Sequence, residues 1–398
     1  MRRLPAGRLA LAMLALAACE PPAGADGGLV VDLATLPELT LVEAVRLGGP
    51  EAPEEQLFAT PPVAAIGADG TLHLLDRPEG EVRSFDRDGV FLGRFGGQGD
   101  GPGEFRFASA IGRIGDSLWV RNASPPNLEL FDGDGGYLGR RTIENPTIGP
   151  TGMPVGPERL LRGGVLLQRV PGPPGGAPAR VPLLLVGSDA TDTVAGVVEP
   201  AGFHLPGVGG LAVAVDPPSP LYAVTADGAA LVLAAWSDSV PGEVIVTRHE
   251  ALGGAATHDT LRFDPVPLEP ADADSMVAAA LVQVEAVAER VRAQVGPDAI
   301  TLPDDLEGPV ADALGLRATL PPVRALLAGA DGTLWLERPL APGRSEWVVL
   351  DPDGRPEARV TLPLGHTLLA VDDARVWTLT RDDLDVVYVV GFAPQPDP

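Results

Sequence analysis

Short runs in which apolar and polar side chains alternate recur from Leu39 to the end of the chain, separated by Asp-Gly, Gly and Pro. Alternation of this period puts successive side chains on opposite faces of a strand. Asp-Gly joins such strands in hairpins, because both residues tolerate positive φ. Residues 39–47 (LTLVEAVRL) predict one strand, and from Val63 the pattern starts to repeat. Residues 66–74 (IGADGTLHL) correspond to 111–120 (IGRIGDSLWV), and 82–89 (VRSFDRDG) to 128–135 (LELFDGDG). Leu72 and Leu118 stand 46 positions apart, as do Phe85 and Phe131. A period of that length is the signature of propeller blades with four short strands each.

The middle units are weaker: strand-like runs at 160–170 and 181–198 flank the Pro/Gly loop 171–179, and 221–236 carries another hairpin at Asp227-Gly228. The pattern returns at 325–337 (ALLAGADGTLWLE) and 348–354 (VVLDPDG), and 374–380 opens a last unit. Six units follow, at 63–107, 108–150, 151–200, 210–268, 322–364 and 365–393. The last is one strand short, and residues 39–47 belong to no unit. Closing the ring removes exposed strand edges, so the N-terminal strand is expected to complete the C-terminal blade. The crossing at 99–105 (GDGPGEF) then carries the chain from the outer strand of one blade to the inner strand of the next. Pro102 fixes one φ, Gly101 and Gly103 permit positive φ, Phe105 and Phe107 can plug the seam, and Glu104 can accept from the loop's own amides.

One segment breaks the β pattern. Val277, Leu281, Val284, Ala288, Val291 and Val295 recur at spacings of four and three, which predicts a helix near 272–295 with its stripe packed on the propeller. Asp272, Asp274 or Ser275 is the expected cap, and Gly296-Pro297 the stop. The expectation is therefore an all-β, six-bladed β-propeller over residues 38–395, with a helical insertion at about 270–320.

Composition adds an address. Arg2, Arg3 and Arg8 precede the apolar run 9–18, which is shorter than the roughly 20 residues of a membrane-spanning helix. It ends at Leu16-Ala17-Ala18-Cys19, which resembles the lipobox of bacterial lipoproteins, and Cys19 is the only cysteine. The resemblance implies a signal at 1–18, lipidation of Cys19, and a flexible tether over 19–37. Glu20 in place of aspartate points to the outer membrane, facing the periplasm or the cell surface. Loss of the three arginines takes the formal charge from −25 to −28. So acidic a surface repels phosphate backbones, which argues against nucleic acid as a partner.

The units 69–105 and 116–140 resemble NHL-type repeats, and the chain is similar to bacterial six-bladed β-propeller lipoproteins of uncharacterised function. That likeness implies a fold and an exported location and no activity. Metal-dependent lactonases and lyases on such propellers hold acidic, Asn or His ligands around the channel. Here His73, His204, His249, His258 and His366 stand at no metal-ligand spacing, and the alternation around His73 places it on a blade surface. The Asp-x-Asp-Gly pieces at 86–89, 132–135 and 351–354 lack the length and glutamate of a calcium loop, so they read as hairpin turns, with calcium as the alternative. No Gly-x-Ser-x-Gly elbow is present, and no Lys-Ser/Thr follows the glycines at 96–103.

The remaining candidates are aromatic and cationic. Trp119, Trp335 and Trp377 occupy the same strand in three units, either as packing between blades or as a stacking platform at the channel mouth. Arg77, Arg121 and Arg338 recur near the ends of the corresponding strands, where they could gather an anion or pair with carboxylates. No cofactor is expected. The functional expectation is a monomeric binding scaffold for a protein or glycan of the cell envelope, held to the membrane by its lipid. A metal-dependent, lactonase-like hydrolase or lyase at the channel is the alternative.

Overall fold

A computed structural model describes residues 29–142, 147–148, 154–170, 180–188, 190–198, 203–204, 212–213, 221–237, 239–251, 253–298, 300–302 and 305–396. Cys19, the expected signal and the loop 171–179 lie outside these residues.

The chain is a six-bladed β-propeller with, among the described residues, two α-helices inserted late. Blade I is the antiparallel sheet Val63–Ile66, Leu72–Asp76, Glu81–Phe85 and Phe91–Gly96. Blade II is Ala108–Ile114, Ser117–Ala123, Pro126–Phe131 and Tyr137–Arg141. Blade III is Arg159–Leu160, Leu166–Arg169, Arg180–Val186 and Thr191–Val198. Blade IV is Leu221–Val224, Ala230–Trp236, Glu243–Glu250 and Thr257–Arg262. Blade V is Ala325–Ala328, Leu334–Ala341, Arg344–Leu350 and Pro356–Val360. Blade VI takes Thr367–Val371, Val376–Arg381 and Val387–Pro396 from the C-terminus and Leu39–Gly48 from the N-terminus. That last pairing runs antiparallel from Leu39 opposite Pro396 to Gly48 opposite Tyr388, so the ring closes as the leftover strand required.

The core shows the ring most directly. Buried apolar side chains fall into one cluster at each seam between consecutive blades, including the seam from VI back to I. Each inner-layer strand is therefore covered on both faces. Leu72 and Leu74 face blade VI, and Leu75 faces blade II. This overturns the surface position expected for His73, which is 1% exposed: in a propeller the face opposite a buried leucine is buried by the next blade. His73 stands at the position held by Trp119 in blade II.

The 99–105 crossing also packs as a seam element. Gly103 adopts φ +77°, Gly101 Nα donates to the Glu104 carboxylate at 2.9 Å, and Phe105 is fully buried against Phe131. Phe107 departs from the expectation: it is 60% exposed, because the chain enters blade II with the neighbouring Ala108 turned inward.

The region expected as tether docks sooner than its composition suggests. Leu29–Val30 adds to the outer edge of blade IV in parallel, and Val31 is buried in the seam between blades IV and V. Its few apolar side chains are enough to bind an otherwise open sheet edge.

Helix α1 spans Pro270–Val295, with proline in its first turn and Gly296 as its cap residue. None of the predicted side chains caps it: the residue before it is Glu269, which makes no cap bond, and Ser275 Oγ donates back to the Ala271 carbonyl at 2.8 Å. Its stripe does not lie on the propeller either. Val277, Ala280, Val284 and Ala288 pack on Ile300, Val310 and Leu314, the last two from a second helix, α2 (Glu307–Leu314). An eight-residue helix holding both Gly and Pro gives little periodic signal, which is why the sequence concealed the stripe's partner. Among the described residues no helix is long and apolar enough to cross a membrane.

Candidate functional site

The inner strands of a propeller line its axis, and six of them converge where only small side chains fit. At the C-terminal ends of these strands a cavity of about 170 Å³ is bounded by residues from all six blades. Its wall is mostly alanine and aliphatic: Ala64, Ala65, Ala328, Ala330 and Ala370, with Ile66, Ile111, Val224, Leu327, Leu369 and Val371. Arg113, Trp119, Arg159 and Thr225 supply the polar chemistry. The Thr225 hydroxyl is spent within its own turn, accepting from Ala230 Nα at 2.9 Å and donating to the Asp227 carboxylate at 2.8 Å.

One end of the channel is tied shut. The inner hairpin of blade II is long, with a first strand of seven residues against four in blade I, and it leans over the axis. Gly115 Nα donates to the Asp227 carbonyl of blade IV at 3.3 Å, and Arg113 Nη2 to the Ala330 carbonyl of blade V, on the opposite side of the ring, at 3.2 Å. Arg113 Nη1 also donates to the Gly115 carbonyl at 3.3 Å, and its buried Nε has no acceptor. Around the same end, carboxylates and arginines of neighbouring turns pair, as Arg162 does with Asp227 at 2.8 Å and Arg87 with Asp373 at 2.9 Å.

Arg159 comes from the shortest inner strand, Arg159–Leu160. Its Nη1 donates to the Glu158 backbone carbonyl at 2.9 Å, and its guanidinium carbon lies 5.6 Å from the centroid of the Trp119 ring. Glu158 gives it no ion pair, because that carboxylate accepts from the Tyr222 hydroxyl at 2.5 Å and from Arg169 Nε at 3.4 Å. Burial lowers the pKa of Arg159 before any other influence. Glu158 and Tyr222 act in the opposite sense, and the nearby Arg121 adds to the lowering. Among the described residues neither Arg159, Arg113 nor Arg121 has an ion-pair partner.

The candidates separate accordingly. Trp119 is 2% exposed, lines the cavity, and its buried Nε1 has no hydrogen-bond partner. Trp335 packs with Trp347 in the seam between blades V and VI, its Nε1 donating to Thr333 Oγ1 at 3.0 Å, and Trp377 is wholly buried between blades VI and I. Trp119 alone of the three therefore reaches the cavity. Arg121 sits on the strand face that also carries Trp119, one step further from the closed end. Arg77 donates to the Pro61 carbonyl at 3.3 Å, and Arg338 is buried with Glu346 at 2.9 Å, so these two do not join it at an anion site. Arg113 and Arg159 gave no motif: each is a single cation beside an apolar run, and only the ring shows that they face the axis.

The aspartate turns use their carboxylates locally. Asp86 Oδ1 accepts from Asp88 Nα and Val90 Nα at 2.9 and 2.8 Å, and Asp132 Oδ1 from Asp134 Nα and Gly136 Nα at 3.1 and 2.6 Å. Among the described residues no three His, Cys, Asp or Glu side chains gather as a metal site would need. His73, His249 and His366 have lowered pKa values, each through burial first, and His73 falls to about 4.

Fold and site together define a six-bladed β-propeller with an apolar, arginine-bearing channel closed at one end. No protein family and no curated protein matches the chain by sequence. Among solved structures it is similar to a candidate exported protein of Bacteroides fragilis, at 11% identity and a TM-score of 0.48, over 94% of this chain and 98% of that one. It is similar to a DUF4221-family member from Bacteroides vulgatus at 10% identity and a TM-score of 0.48, over 91% of this chain and all of the other. Regucalcin, a calcium-binding protein of Agrobacterium tumefaciens, is similar at 12% identity and a TM-score of 0.36, over 90% of this chain and 99% of that one. The blade count stands on this chain's own strand pairing and seams.

Proposed function

We propose that the protein is an exported, lipid-anchored propeller lipoprotein with NHL-type repeats. It acts as a monomeric binding scaffold for a protein or glycan of the cell envelope. The observation that carries this reading is the channel wall, whose described side chains hold and shape but include no carboxylate, imidazole or thiol. General acid–base, nucleophilic and metal-assisted chemistry each need such groups at hydrogen-bond or ligand distance from the reacting atoms. A rigid closed ring presents many turns at its two ends, which suits recognition.

Anchoring is read from Arg2, Arg3 and Arg8, the apolar run 9–18 and the solitary Cys19. Three experiments test the proposal. The Cys19→Ala variant is expected to leave the membrane fraction; a variant that stays there removes the lipid anchor from the reading. The purified protein, screened with lactones and esters with and without added calcium or zinc, is expected to give no turnover, while crosslinking in cells captures a partner. Metal-dependent turnover would establish the lactonase-like alternative instead.

A further inference from the structure

Buried charges in proteins are paired, since an uncompensated ion in a low-dielectric interior costs several kcal/mol. Arg159 is a partial exception: it is only partly buried, yet it lies at the cavity wall with no carboxylate partner. Of the five N–H groups a guanidinium carries, one is matched by the Glu158 carbonyl, and the neighbouring carboxylate is already taken by Tyr222 and Arg169. Trp119 adds a donor that is fully buried at the same wall. Its Nε1 is a buried donor with no acceptor, on the ring edge that lies against Gly112, another residue of the cavity wall. Arg113 Nε is a second buried donor without an acceptor, at the closed end. All three are donors. A guest that satisfied them would bring acceptors, and one facing two guanidiniums would bring negative charge.

The rest of the wall sets the body of that guest. Alanine and aliphatic side chains offer no further polar partner, so whatever extends from the anionic group is apolar. The cavity of about 170 Å³ compares with an engineered apolar cavity of about 150 Å³ that takes benzene. That is too small for a polysaccharide or a drug-sized ligand. Arg113 is already tethered to the Gly115 and Ala330 carbonyls, which leaves Arg159 as the main anchor and favours a single charge over a dianion.

We propose that the channel binds a small organic monoanion with an apolar body, a carboxylate of about the size of benzoate, whose oxygens take the free N–H groups of Arg159 and Trp119 Nε1 while its body fills the alanine-lined wall. The site goes beyond recognition of a macromolecule at the ring's ends and stands independently of it.

The test is titration calorimetry on the full chain with three probes: benzoate, benzyl alcohol with the same ring and no charge, and inorganic phosphate with charge and no ring. Benzoate is expected to bind, with the two controls at least about tenfold weaker, since a hydrogen bond to a charged group is worth about ten- to a hundredfold. Arg159→Gln is expected to lose benzoate by a similar factor without a large fall in Tm, because Arg159 is partly exposed and makes no ion pair that the change would break. Equal binding of benzyl alcohol, stronger binding of phosphate, or benzoate affinity unchanged in Arg159→Gln would overturn the site. Should Arg159→Gln not fold, Ala328→Leu narrows the cavity from blade V, and retained benzoate affinity there overturns it equally. Ester turnover together with benzoate binding would break the scaffold reading and leave this site standing. A clean substrate screen without benzoate binding does the reverse.

Discussion

His73 offers a quantitative check on the seams. It occupies the position that blade II gives to Trp119. Its ring lies 6.2 Å from that of Phe95, its Nδ1 bonds Ser84 Oγ at 2.9 Å, and its Nε2 is buried without a partner. Burial lowers its pKa from 6.5 to about 4, with Asp69 opposing the shift. An imidazole held neutral in the folded chain takes up a proton on unfolding at any pH below its unfolded value. Below about pH 6.5 the unfolded state therefore binds more protons and stability falls as pH falls, until the folded group titrates near pH 4. At about 1.36 kcal/mol per pH unit, the loss is about 2 kcal/mol by pH 5 and about 3 kcal/mol by pH 4. Urea unfolding at about pH 7.5, 6 and 5 measures it, with His73→Phe as reference. The phenyl ring keeps the seam filled and does not titrate, and carboxylate effects common to both proteins cancel in the difference. The native chain is expected to lose about 2 kcal/mol more than His73→Phe between pH 7.5 and 5. Parallel curves would refute the burial of a neutral histidine at this seam.

Two further substitutions probe packing and charge. Gly391 lies across the strand pair from Trp377, and a Cβ there would fall 2.7 Å from Cζ3 of the ring. Gly391→Ala should cost about 1–3 kcal/mol by overpacking, recovered in large part by adding Trp377→Leu; additive losses in a denaturation cycle would argue against the contact. Arg338 and Glu346, each 8% exposed, pair at 2.9 Å. Arg338→Leu should cost about 3–5 kcal/mol by stranding the carboxylate, whereas the double variant with Glu346→Leu should regain most of it; a single variant as stable as the native chain would show that water reaches Glu346.

What the sequence disclosed follows the physics of each signal. Hairpins at Asp-Gly and strands of alternating polarity are local, so blades I, II, V and VI were legible, and closure by residues 39–48 followed from counting strands. Blades III and IV were placed only coarsely, at 151–200 and 210–268 against strands at 159–198 and 221–262. There the inner strand of blade III shrinks to Arg159–Leu160 and long connections separate the runs. The stripe of α1 was plain, but what it packs on was not, because a stripe states that a face is covered and is silent about the cover. Trp119, Trp335 and Trp377 look alike in sequence. Their fates differ although inter-blade packing buries all three, because Trp119 borders the seam whose next inner strand is the shortest and so also lines the cavity.

That short strand gives the channel its character. In a ring of equal blades every inner strand would present the same side chain to the axis, and six like charges or six bulky groups could not meet there. A regular propeller is thus driven toward small apolar residues along its axis, as Ala64, Ala328 and Ala370 illustrate. Polar chemistry can enter only where a blade departs from the repeat. Two blades do so here. Blade II overshoots, and its hairpin ties one end shut through Arg113 and Gly115. Blade III falls short, and the wall it leaves open is filled by Arg159 over the Trp119 ring. Both departures bring donors without acceptors to one cavity, next to each other in the ring. The degeneracy that blurred the middle of the sequence is therefore the source of the site, and replacing Arg159 by the small residue of a regular blade should return a channel that binds no anion.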